Sequence, residues 1–79
     1  MSTEHIVSSF DRDLEGIQAK VMRMGGLVEV ALRDAIQALE DGDLERASAV
    51  REGDRAIDAL NEEIRHETAQ LLALRAPTA

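Results

Sequence analysis

The sequence contains no cysteine, no tryptophan, no tyrosine, one proline and a single phenylalanine, Phe10. Without cysteine there is neither a disulfide framework nor a thiolate zinc site. With one aromatic side chain in 79 residues, the core must be built from aliphatic side chains, and a chain this short makes a small one. Basic residues are outnumbered, 9 against 16 acidic, for a net charge of −7. That balance argues against direct binding to nucleic acid and against attraction to an anionic membrane surface. The opening residues MSTEHIVSSF have no basic region and no long apolar run, so they do not read as a signal peptide. Nowhere does an apolar run reach the length of a membrane span. A cytoplasmic protein without membrane insertion is expected.

What the chain has in quantity is Ala, Leu, Glu, Arg and Asp, a composition that favours helix. Phe10, Leu14, Ile17, Val21, Met24, Val28, Ala31, Ala35 and Ala38 follow one another in alternating steps of four and three. This is an a/d heptad seam. Val7 extends it backwards, while Leu32 and Leu39 widen it on one side and Leu27 on the other. A stripe that wide suits a helical bundle better than a bare two-stranded coiled coil. The pattern predicts a first helix over about 5 to 40, starting between Thr3 and Ser9. From Ser9 to Glu40 it would measure about 48 Å at about 1.5 Å per residue.

Glu40-Asp41-Gly42-Asp43 then reads as a turn. Gly42 can take the left-handed conformation that ends a helix, and Asp43 is a good N-cap for the next. A second helix is predicted over about 44 to 75, with a seam of Val50, Gly53, Ile57, Leu60, Ile64, Glu67, Leu71 and Leu74. Gly53 and Glu67 interrupt that seam, and Pro77 marks a stop. So short a connection makes the helices antiparallel neighbours. The expected fold is all-α, a two-helix hairpin forming a single unit over residues 1–79. Two helices cover only part of each other's stripes. The hairpin should therefore complete a bundle, either by self-association as a homo-oligomer or with a further helix.

Three features bear on chemistry. Asp54 and Asp58 lie four apart on one helix face, where like charges repel by a few tenths of a kcal/mol, roughly. A cation would reverse that cost, since hard and borderline metals accept carboxylate oxygens. Helical phase puts Asp54 on the flank of the second helix and Asp58 outward, so the pair is a surface metal site or two solvated charges. Glu63 and His66 match half of the Glu-x-x-His motif of buried di-iron bundles. His66 falls nearly opposite the Ile57, Leu60 and Ile64 stripe, and the first helix offers no inward Glu, so a di-iron core is not expected; His66 and His5 should be exposed. No Ser–His pairing and no phosphate-cradling glycine loop stands out, so no catalysis is expected. Arg12, Lys20, Arg33, Glu45, Arg51 and Glu62 read as an ordinary solvated face.

Gly25 and Gly26 sit in mid-helix, where each costs about 1 kcal/mol relative to Ala. The heptad register runs through them unbroken, so the helix continues. Gly25 adjoins the Met24/Val28 seam, where a missing side chain would let another helix come close; Gly26 has no evident packing role.

The stretch EHIVSSFDRDLEGIQAKVMRMGGLVEVALRDAIQALEDGD resembles the opening of the PhoU family of bacterial phosphate-transport regulators. The likeness continues through AVREGDRAIDALNEEI to LLALRAP, from residue 4 to residue 77. Met24-Gly25-Gly26-Leu27-Val28-Glu29 is its most specific part, and Asp54-x-x-Ile57-Asp58 the second. The resemblance implies a fold of two similar three-helix bundles, of which this chain holds the first two helices of one. It implies a negative regulator of the phosphate-starvation response. Such a regulator couples a phosphate ABC transporter ATPase to a phosphate-sensing histidine kinase at the cytoplasmic face of the membrane. It further implies iron or zinc held on the bundle surface by acidic motifs, which fall here on Asp54 and Asp58. Two departures are visible. The helix that would carry the partnering acidic motif is not in the 79 residues, and Arg75-Ala76-Pro77 stands where the family more usually has Gln before Pro. The chain would then be either a piece of a longer protein or a short relative that self-associates. A structural oligomerisation module without a signalling role is the alternative function.

Overall fold

The structure is a computed structural model that describes residues 3–75, with side chains from Ser9 onward. Pro77 lies outside the described residues, as do the side chains of His5 and Val7. Two helices make up the fold, α1 (Thr3–Asp41) and α2 (Leu44–Arg75), packed antiparallel. α1 starts at the early end of the expected range. Its 39 residues account for the longest dimension of the molecule, 59 Å against 23 and 14 Å across. The radius of gyration is 18.1 Å, whereas a compact chain of this length would have about 12 Å.

One tripeptide turns the chain. Gly42 has φ 62°, the left-handed conformation that glycine adopts without a Cβ clash. With the chain bent there, the Asp43 amide donates back to the Ala38 carbonyl at 3.0 Å, the six-to-one bond of a Schellman motif. Asp43 then serves the next helix. Its carboxylate accepts the Arg46 amide at 2.9 Å, an N-cap bond, and its carbonyl accepts the Ala47 amide at 3.0 Å. The same residue closes α1 and opens α2, which leaves no slack in the connection.

Among the described residues four apolar side chains are buried, Ile17 and Ala38 on α1 and Leu60 and Leu71 on α2. Around them Met24, Leu27 and Ala31 on α1, and Val50, Ile57 and Ile64 on α2, are half-buried. The contact face of α1 is rotated away from the expected seam. Leu27, Lys20 and Asp34 turn inward and are half-buried. Leu14, Val21 and Val28, all on the a/d seam, stay 37–44% exposed, and Leu32 and Leu39 rise to 60% and 84%. Of the two flanks that widen the stripe, only the one through Leu27 packs against α2.

The hairpin leaves 6522 Å² accessible, whereas a compact monomer of 8.6 kDa would leave about 4,700 Å². Elongation and the uncovered flank of α1 together account for the difference.

Candidate functional site

Two sides of the hairpin differ in character. On one, α2 carries Glu67 where its apolar seam would place a hydrophobic residue. Lys20 of α1 answers it with a hydrogen-bonded ion pair, and reaches Glu63 at 3.9 Å. The Lys20 and Glu67 side chains are both about one-third exposed, so the pair is screened by water on its outer side. Lys20 is thus no member of a solvated face. It is the cation that lets a carboxylate stand in the seam, and it draws the contact face of α1 toward Leu27. The hydrogen bond to Glu67 raises the Lys20 pKa above its ordinary value; partial desolvation opposes this, and the charges of Glu67 and Glu63 add to it.

Lys20 is the only lysine, and the chain has no tyrosine and no cysteine. Alkaline titration above the range of the terminal amine therefore reports on one group. A pKa raised on folding contributes stability that is fully present below the unfolded value and is lost as pH rises through the folded value. The melting midpoint is expected to be flat up to about pH 10, near the ordinary lysine value, and to fall above it. In Lys20→Met that alkaline fall should vanish. Thermal melts followed by circular dichroism from about pH 8 to about pH 12 check it; an unchanged alkaline fall in the variant would show that another group is responsible.

The opposite side is apolar and open. At the end far from the turn, Phe10, Leu14 and Ile17 line a groove with Thr68, Leu71 and Leu72, and the Arg75 guanidinium lies over the Phe10 ring at 4.2 Å, a cation–π contact. At the turn end, Ala35, Ala38 and Leu39 line a second groove with Leu44, Ala47 and Val50. Between them run Val21, Val28 and Leu32, so the open face extends along most of the rod.

Asp54 and Asp58 stand at the edge of this face. Asp54 precedes Thr68, and Asp58 precedes Leu72, by two whole heptads, so each shares its partner's column on α2. Both carboxylates are exposed, as their phase predicted. Among the described residues no group of three or more His, Cys, Asp or Glu comes together in a way that could hold a metal ion. His66 is exposed, in keeping with its phase.

Gly25 and Gly26 are both exposed. A Cβ built on either meets nothing within 4 Å. Within the hairpin, therefore, close packing does not explain Gly25. Neither helix is long and apolar enough to cross a membrane.

The family model for the PhoU domain matches residues 21–79. The phosphate-specific transport system accessory protein PhoU homolog of Zymomonas mobilis is 41% identical over 75 residues, which is 95% of this chain and 32% of that protein. The homolog of Caulobacter vibrioides is 42% identical over 77 residues, 98% of this chain and 34% of its own length. The accessory protein PhoU of Escherichia coli K12 is 40% identical over 76 residues, 96% and 32% respectively. The chain thus spans about a third of the length of the curated relatives it matches. No solved structure matches it.

Proposed function

This chain belongs to the PhoU family, and we propose that it is a regulatory module of phosphate transport that works by docking helix surfaces onto protein partners, not by catalysis. The names of its relatives place them as accessory proteins of the phosphate-specific transport system. What supports a docking mechanism is one observation: the apolar face through Leu14, Val28 and Leu39, which the hairpin leaves open along most of its length. Contiguous exposed apolar surface of this kind marks an interaction site. By family resemblance the protein partners are the transporter ATPase and the phosphate-sensing histidine kinase, reached in the cytoplasm. The open face also favours a second reading, an oligomerisation module with no signalling role.

Capture separates the two. The immobilised 79-residue chain should retain the purified transporter ATPase, the kinase sensor region, or both. A variant with Val28→Asp and Leu32→Asp on the open face should retain neither. Failure of the native chain to retain either protein would overturn the regulatory reading in favour of the oligomerisation module.

Asp54 and Asp58 are the residues that would hold iron or zinc in this reading. Two carboxylates suit such an ion as oxygen donors. Water or a further helix would have to complete the set. When bound, the ion would offset their mutual repulsion and offer open coordination positions at the edge of the docking face. Asp54→Asn with Asp58→Asn should lower the iron or zinc retained after dialysis, read by elemental analysis. Equal metal content in native and variant chains would remove the pair from consideration.

A further inference from the structure

We propose that Arg75 is a conformational clasp. Laid over the Phe10 ring, it holds the last turn of α2 against α1, and its release splays that end of the hairpin while the rest stays paired.

Past Leu71 the two helices share little. Leu71 is the last buried side chain of α2 and Ile17 the first described one of α1, and the two line the same grooves. Beyond them Leu72, Ala73 and Leu74 are all exposed, the two leucines at 66% and 77%. On α1 residues 11–16 are exposed as well. Among the described residues, the ion pair between the helices that lies nearest this end is Lys20–Glu67. What remains is the Arg75 guanidinium, 4.2 Å from the centre of the Phe10 ring, with Phe10 half-buried beneath it.

Arginine suits the task. Its guanidinium is planar and weakly hydrated, so it lies flat on a ring with little loss of solvation, and the negative face of the ring attracts it. Phe10 is the only aromatic residue of the 79, so no other ring in the sequence can take its place. Arg75 also stands in the last turn of α2, where a positive charge opposes the negative end of the helix dipole. Loss of the last turn of α2, or of α1 around Phe10, carries one partner away from the other. The clasp therefore closes only when both ends are helical, and through it each end senses the state of the other.

Release has a defined hinge. Ile17 lies seven residues along α1 from Phe10, roughly 10 Å at about 1.5 Å per residue. It stays paired with α2, as does Lys20 beyond it. The last turn of α2 then swings away from α1, and the groove through Leu14, Thr68 and Leu72, which Arg75 and Phe10 bound, widens at its outer end.

Native-state amide exchange of the 79-residue chain, read residue by residue by nuclear magnetic resonance, tests the clasp, since exchange at a helix end follows its local opening. Arg75→Gln should speed exchange at residues 72–75 and also at residues 10–14, by roughly two- to fivefold, the worth of an exposed cation–π contact. Residues 34–40 and 46–50, beside the turn, should not change. Arg75→Lys keeps the charge at the end of α2 but lacks the planar group, and should fall between native and Arg75→Gln at residues 10–14. Phe10→Leu keeps an apolar side chain and removes the ring. In that background Arg75→Gln should no longer affect residues 10–14, which isolates the pair from the effects of either change alone. Three results would overturn the proposal: Arg75→Gln moving only the amides of α2, an equal effect of Arg75→Gln with and without the ring, or Arg75→Lys exchanging as the native chain does. The first reduces Arg75 to a charge on its own helix, and the other two leave the stacked contact without a role. If Phe10→Leu loosens the whole chain, the response of residues 10–14 to Arg75→Gln and Arg75→Lys still decides.

Discussion

Leu60→Ala should remove most of the hairpin's stability. Leu60 is 6% exposed and is one of four buried side chains among the described residues. Truncating a buried leucine costs about 2–5 kcal/mol, through lost transfer energy and the cavity left behind. Stability at about 0.05–0.15 kcal/mol per residue would amount to roughly 4–12 kcal/mol for a chain of this length. The hairpin belongs near the lower end, because it exposes far more surface than a compact chain of equal mass. Losing about 3 kcal/mol from a reserve of about 4 kcal/mol leaves about 1 kcal/mol, so that roughly one molecule in six is unfolded without any denaturant. Leu72→Ala, at a position 66% exposed, is the comparison and should change the free energy by only about 0.5 kcal/mol. Urea titration followed at 222 nm (a far-ultraviolet helix signal) checks both. A loss at Leu60 no greater than at Leu72 would mean that the core does not lie along the Ile17, Leu60 and Leu71 line.

The second large effect has the opposite sign. Replacing Gly25 and Gly26 together by alanine should raise the melting midpoint by roughly 10 °C, since each glycine costs about 0.5–1 kcal/mol in a helix interior and about 1 kcal/mol shifts a domain of this size by 4–8 °C. Nothing in the hairpin opposes the change, because an added Cβ meets no atom within 4 Å at either site. Single variants sharpen the expectation. Gly26→Ala should gain its full share at any protein concentration. Gly25→Ala should gain as much, since its added Cβ also meets no atom within 4 Å. A midpoint that does not rise in Gly26→Ala would show that this glycine serves something other than the hairpin.

Much of the architecture was legible in the residues. The a/d steps through Gly25-Gly26 placed α1, and Gly42 with Asp43 placed the turn. The phase of Asp54, Asp58 and His66 put all three on exposed surface. The rotation of the contact face was not legible from α1 alone, because its apolar stripe is wide enough to be packed from either flank. The choice between the Leu27 flank and the Leu32 flank is made by α2. There Glu67 interrupts the seam, and a half-buried carboxylate is costly without a partner. Lys20 and Glu67 lie nearly equal distances from Gly42 along the two helices, so in a hairpin they must come opposite one another. Pairing the one cation near the α1 stripe with the one acid in the α2 seam would have fixed the rotation in advance. The acidic pair illustrates the other limit. Spacing places two carboxylates together, but a third ligand is a tertiary fact, and none joins them among the described residues.

The turn at Gly42 has a kinetic consequence. Contacts across the hairpin form a ladder whose rungs span ever longer stretches of chain, from the Asp43 amide bonded to Ala38 to Lys20 bonded to Glu67, 47 residues apart. Closing a distant rung first would order the whole intervening loop at once, whereas each rung beside a closed one orders only a few residues more. The ladder therefore zips from the turn outward, with the Schellman motif as its nucleus. Unzipping runs the other way, and Arg75 leaves the Phe10 ring before Lys20 leaves Glu67. The far tip of the rod is the least protected part of the fold. It is there that amide protons are expected to exchange soonest.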